Sequence, residues 1–285
     1  RILRKQGNSN PTFLDAKAFF DKHLNCRYHE QNDPKVWEHV YHNGHFAGVF
    51  QFTNQGARQF SIEAKPENIE ELAALTAIYR PGPLKANVHK KYVKAKKNAD
   101  SIKYDHPIIK EVLGPTFGFV TFQEQFMLLA QKLAGFDPGE SDKLRKTLVK
   151  KSLDTLHSKG SEKAKAREKF IKGSKELNNV PESVSSKLWA EIEYFSVYGF
   201  NKSHAVAYAI DSYYAAWLHT HYETEWLAAI LQSENGNPKG MSKAISEIKS
   251  FGYEIAAIDI NHSGLEWEFS EALKAFVPPL TSLKG

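Results

Sequence analysis

Apolar residues recur at helical spacing through most of this chain. Phe126, Leu129, Ala130 and Leu133 fall at i, i+3, i+4 and i+7, as on a helix with one buried face. Val184, Leu188, Ile192 and Phe195 form a similar stripe after Pro181, and Val206, Ile210, Tyr213 and Trp217 form another. Ile69, Leu72 and Ala73 mark a helix entered from Pro66, with Glu67, Glu70 and Glu71 in its early turns, Arg80 at its end and Pro81-Gly82-Pro83 to stop it. Asp137-Pro138-Gly139-Glu140 reads as a capping box opening a helix that carries Arg145 and Lys146, then Lys150 and Lys151. A basic helix is expected over 159–177, with Ala164, Phe170, Ile171 and Leu177 inward, and shorter ones over 13–24, 34–41, 226–231 and 245–251. Residues 48–52 fit a strand or buried turn, and only 253–260 and 266–269 read as late strands. The expected fold is mostly α: many helices and a few short strands, two of them near the C-terminus.

Composition narrows the class. The 285 residues suffice for one large or two ordinary domains, and 41% hydrophobic with 25% charged residues fits a folded, water-exposed protein. No apolar run approaches the ~18 residues of a membrane span, and Arg1 to Lys5 lacks the apolar core of a signal peptide. The start without methionine suggests a piece of a longer polypeptide. A lone cysteine, Cys26, excludes an internal disulfide and fits a reducing cytoplasm. The net charge of +5 is unevenly placed. Between Lys143 and Lys175 twelve Lys/Arg face three acids, and between Lys85 and Lys103 seven lysines face Asp100 alone. Charge runs are often solvated faces, but two separated basic blocks favour a polyanionic partner.

The candidate chemistry centres on 198–221, YGFNKSHAVAYAIDSYYAAWLHTH. Ser203 or Asn201 can cap the helix that follows, so free amides, the positive end of the helix dipole and Lys202 would point one way, which suits a phosphate. The plainer reading is a capped helix with a surface lysine. His39, His42 and His45 stand three apart, but Gly44 interrupts them and no paired thiolate exists; polar surface histidines are expected rather than a metal site. Glu124, in a first helical turn, reads as a dipole partner rather than a catalytic carboxylate. Arg80, beside the rigid Pro-Gly-Pro turn, either caps carbonyls or is held out for nucleic acid. Neither a P-loop nor a dinucleotide glycine fingerprint occurs.

Five blocks in order, AGVFQF, LAALTAIYRPGPL, GFVTFQEQFM, KLRKTLVKK and YGFNKSHAVAYA, together resemble the bacterial C-family replicative DNA polymerases, the DNA polymerase III alpha subunits. The resemblance runs from Ala47 onward and is weak before it. It implies a palm-to-fingers connection over 1–46, a fingers core over 47–235, and at 236–285 the end of the fingers leading into the next domain. It implies a fragment of a DNA-directed DNA polymerase, a nucleotidyltransferase. The fragment is expected to be inactive alone, because the palm carboxylates that the resemblance implies bind Mg2+ find no match here. Matched by motif, the triphosphate contacts fall on Arg145, Lys146, Lys150, Lys151, Asn201, Lys202, Ser203 and His204. Tyr208 is placed to stack near the nascent base pair, and Arg80, Lys90 and Lys91 to contact DNA. The implied partners are dNTP, template-primer DNA, the remaining polymerase domains, a sliding clamp and other replisome subunits, with no membrane. The implied location is the bacterial nucleoid, or an infected host's cytoplasm. Lys146 replaces the family's second arginine, Val149 replaces a glycine, and Lys151-Ser152-Leu153 shortens the lysine run; these departures fit a divergent lineage, a bacterial virus included. The alternative is a non-catalytic basic module that grips nucleic acid.

Overall fold

The computed structural model describes residues 1–24, 32–149, 161–196 and 198–283. They form two compact units, one of residues 70–209 and one of residues 1–69 with 210–285. As the apolar periodicity predicts, the fold is mostly α-helical, with one small sheet among the described residues.

In the 70–209 unit the Gln123–Ala134 helix is central. Its predicted stripe, Phe126, Leu129, Ala130 and Leu133, has no solvent exposure. Helices Pro107–Leu113, Pro138–Val149 and Glu162–Asn178 pack around it, and Glu182–Ser196 adds Leu188, Trp189 and Ile192 to the same core. The capping box is present: the Asp137 carboxylate accepts from the Glu140 amide at 2.8 Å, and Glu140 accepts from the Asp137 amide at 2.9 Å.

The Glu162–Asn178 helix buries Phe170 and Ser174, whereas Leu177, expected inward, is 62% exposed. In its last turn the helix has run past the core, and Leu177 instead lies over the Gly135 turn. Close approach to the central helix depends on Gly173. A Cβ there would stand 2.2 Å from the Ala134 carbonyl oxygen, a backbone atom that cannot swing away. Alanine normally favours a helix over glycine by about 1 kcal/mol. Here Gly173→Ala is expected instead to destabilise the chain by about 1–3 kcal/mol through overpacking. A lower urea midpoint is the check, and an unchanged one would show that the two helices part freely.

In the other unit, Ala47, Leu227, Ala228, Leu231, Ile248, Trp267 and Phe276 share a core. Three short strands line it. Ala275–Val277 is central, parallel to Glu254–Ile255 and antiparallel to Glu268–Ser270. The two expected strands are present in shortened form, while the central one escaped the pattern because three apolar residues before Pro278-Pro279 show no alternation. Residues 48–52 form turns rather than a strand, with the Val49 amide bonded to the Phe46 carbonyl and the Phe52 amide to Val49; Val49 and Phe52 are buried, while Phe50 is exposed. The short helix expected over 34–41 begins as Pro34–Val36 and continues as a π-helix, Trp37–His42.

The unit boundary falls at Ile210, within the Lys202–His221 helix. Of its predicted stripe only Tyr213 is fully buried; the deepest positions include Ala205, Ala209, Ser212, Ala216 and His219. A face of small side chains contributes little to a hydrophobic pattern, so the periodicity pointed beside it.

Candidate functional site

The site grows from a buried carboxamide. Gln125, 5% exposed, accepts from the Thr121 and Phe122 amides at 2.8 and 2.9 Å and donates to Thr116 Oγ1 at 2.7 Å and the Val112 carbonyl at 3.2 Å. This fixes the extended residues before the central helix. Phe122 there forms an isolated parallel bridge with Phe200: the Phe200 amide donates to Thr121 O at 3.1 Å, and the Gln123 amide to Phe200 O at 2.9 Å. The bridge sets the start of the Lys202–His221 helix beside the start of the Gln123–Ala134 helix.

Asn201 is the N-cap, its Oδ1 accepting from the His204 amide at 2.8 Å. Ser203, the other capping candidate, is exposed. Glu124 does more than face its own helix dipole. One carboxylate oxygen accepts from the Lys202 amide at 2.9 Å, and the other from Asn201 Nδ2 at 2.9 Å. Lys202 Nζ lies 3.0 Å from Glu70. Two carboxylates thus occupy the amide-and-ammonium seat in which the sequence suggests an anion. Glu70, Phe122, Glu124, Lys132 and Lys202 are among the residues lining an adjacent cavity of about 150 Å³.

The Arg-Pro-Gly-Pro block joins this site. The Arg80 guanidinium sits over the Phe200 ring, 4.4 Å from its centre, a cation–π contact that also leaves Arg80 Nη1 buried without a hydrogen-bond partner. Pro81 does not simply end a helix; it opens a short one, Pro81–Lys85. Gly82 lies flat against Tyr198, where a Cβ would come within 2.4 Å of the ring. One turn into the long helix, the His204 and Tyr208 rings are 4.1 Å apart.

The remaining candidates do not line this cavity or fall outside the described residues. Arg145 is not among the residues lining the cavity beside Lys202. Its Nε and Nη2 both donate to Asp142, at 2.9 and 2.8 Å, and Lys146 reaches the other Asp142 oxygen at 2.7 Å. Lys146 and Arg145 hold the Asp142 carboxyl below its ordinary range. Lys90 and Lys91 are exposed on the Val88–Lys97 helix. Lys150 and Lys151 lie outside the described residues. Much of the 143–175 basic block is neutralised within the unit, as Lys143 pairs with Glu162 at 2.6 Å, Lys163 with Glu193 and Lys169 with Glu140.

Fold and site together define a basic, mostly α-helical domain with an anion-type helix start built on a carboxamide-braced loop. Over residues 12–178 the chain matches the family model of the bacterial DNA polymerase III alpha subunit finger domain, and it belongs to that family. It is 39% identical over 232 residues to the DNA polymerase III subunit alpha of Aquifex aeolicus, covering 81% of this chain and 19% of that protein. It is 37% identical over 241 residues to that of Borreliella burgdorferi, covering 85% and 20%, and 36% identical over 284 residues to that of Treponema pallidum, covering 100% and 22%. The chain spans about a fifth of the length of these curated relatives. Among the described residues, no helix is long and apolar enough to cross a membrane.

Proposed function

We propose that this chain is the part of a replicative DNA-directed DNA polymerase that receives the incoming dNTP and helps to hold template-primer DNA. The observation that carries the reading is the start of the Lys202–His221 helix. There a capped amide terminus and the Lys202 ammonium already hold two carboxylates, Glu124 and Glu70. Groups arranged to hold carboxylates suit phosphate oxygens, because both are anions that accept charge-assisted hydrogen bonds. Lys202, Ser203 and His204 would meet the triphosphate as it displaces Glu70, and Tyr208, its ring tilted against that of His204, would face the base pair. Arg145 and Lys146 would contribute charge by exchanging Asp142 for phosphate. Arg80, Lys90 and Lys91 would face DNA.

Nucleotidyl transfer uses Mg2+, a hard cation that takes oxygen ligands. The group of convergent metal-binding side chains among the described residues is instead three histidines and one glutamate, which does not fit it. On this reading the magnesium belongs to a palm domain beyond this chain, and the present residues act by positioning and charge alone.

Irradiating the full polymerase with template-primer and an azido-dNTP is expected to label the 198–208 stretch. Labelling confined to other segments overturns the assignment. Salt-sensitive duplex binding by this chain, with no labelling of 198–208 in the full enzyme, would favour the non-catalytic binding module instead.

A further inference from the structure

Two of the three evenly spaced histidines meet, but not through their spacing. His42 turns away, its Nε2 2.9 Å from the Pro66 carbonyl oxygen. His39 and His45 come together with His219 and Glu223, and one ligand-type atom from each of the four lies within 4.8 Å of the others. We propose that these four residues bind one transition-metal dication of the zinc class.

The polar atoms of the cluster lack partners. His39 Nε2, His45 Nδ1 and both ring nitrogens of His219 are buried with no hydrogen-bond partner, and His219 has no exposed surface at all. Polar atoms in that condition are rare, and each unmet one is costly. A single cation would satisfy a lone pair on all three rings together.

The distances point the same way. The three rings approach the same oxygen, Glu223 Oε1, at 3.5, 3.6 and 3.6 Å. That is too long for an ordinary N–H···O bond, whose upper range is about 3.2 Å. It is close to the ~3.3 Å between neighbouring ligands of a tetrahedron with metal bonds of ~2.0–2.1 Å. The spacing suits donors arranged around an ion better than donors bonded to one another.

The surroundings hold the rings in place. His39 lies in the Trp37–His42 π-helix, an uncommon element that recurs at functional sites. Gly44, at φ +91°, turns the chain so that the His45 ring comes within 4.2 Å of His39. Phe251 stacks on His45 at 4.6 Å, and Tyr253 donates to the other Glu223 oxygen at 2.9 Å. A ligand carboxylate fixed through its far oxygen by a second residue is the usual outer support of a metal site. Three imidazoles and one carboxylate suit zinc and its neighbours rather than magnesium or calcium. Four protein ligands leave no open position, so the role is structural: the ion would tie residues 39–45 to the junction between the Lys202–His221 and Glu223–Ser233 helices.

The test uses the untagged chain, stripped with a chelator and titrated with Zn2+ at neutral pH. One zinc per chain is expected, with sub-micromolar affinity and a thermal midpoint raised by roughly 5 °C at a hundredfold excess over Kd. Co2+ in its place should give the visible absorption of a tetrahedral complex. The double variant His39→Ala/His45→Ala, whose rings are only partly buried, should stay folded by circular dichroism and bind at least about 100-fold more weakly. His42→Ala should bind as the parent does. Absence of stoichiometric zinc in the folded parent overturns the proposal, as does equal binding by the double variant or an equal loss in His42→Ala.

Discussion

Replacing Lys202 by alanine in the polymerase that carries this segment is expected to lower kcat/KM for dNTP addition by about 100-fold, close to 2.7 kcal/mol. The effect rests on the proposed triphosphate contact. Nucleotidyl transfer gathers negative charge on phosphate oxygens, and an ammonium at a helix N-terminus opposes that charge without reorganising. The substitution should do little to folding. The Lys202 and Glu70 side chains are 36% and 37% exposed, so water can replace the lost partner, and pairs of this kind contribute at most about 1 kcal/mol. Urea midpoints of parent and variant should therefore agree while their kinetics diverge. Glu70→Gln supplies the contrast: it removes the competing anion and should lower the dNTP KM. If Lys202→Ala leaves kcat and KM unchanged, Lys202 serves only as the partner of Glu70, and the helix start is an internal brace.

The parts of this molecule legible in its sequence are those whose physics is local. The Phe126, Leu129, Ala130 and Leu133 stripe could be read because each of those side chains lies in the core. The Asp137–Glu140 capping box could be read because both its bonds close within one turn. Asn201 and Lys202 stood out for the same reason, as residues that serve a helix start. What the sequence hid depends on long-range placement. Glu124 lies 77 residues from Asn201, and only the two-strand bridge at Phe122 and Phe200 brings them together. The 143–175 basic block was plain as charge, but its pairing with Glu162, Glu193 and Glu140 was not, because an ion pair between separate helices leaves no periodic trace. The histidine cluster shows the limit most clearly. The even spacing of His39, His42 and His45 suggests a trio, yet the chain bends at Gly44 and the completing residues, His219 and Glu223, come from the junction of two later helices.

Gln125→Leu is expected to be the most damaging single substitution near the site, lowering stability by about 2–4 kcal/mol. Leucine resembles glutamine in size and would fill the space, so the loss is one of polarity rather than packing. The Gln125 carboxamide meets four groups with four bonds of 2.7–3.2 Å, and it is 5% exposed. Leucine would leave the Phe122 amide without an acceptor, at about 1–3 kcal/mol, and the Thr121 amide with the Phe119 carbonyl alone, at 3.1 Å. Thr116 would suffer least, since its hydroxyl still donates to the Phe119 carbonyl at 2.6 Å. The second consequence is functional. Thr121 and Phe122 carry the bridge to Phe200, and Phe200 precedes Asn201 and Lys202 directly. Loosening the loop should move the helix start relative to Glu124 and raise the dNTP KM beyond what lost stability explains. Gln125→Glu separates the two effects: its carboxylate still accepts from both amides but loses the donors to Val112 and Thr116. It should therefore keep the loop in register at a reduced stability, with a KM closer to the parent than that of the leucine variant. Urea midpoints and dNTP kinetics on the same preparations are the measurement. A leucine variant within about 1 kcal/mol of the parent would mean that the loop is held by its apolar packing, with Phe122 rather than the carboxamide as its anchor.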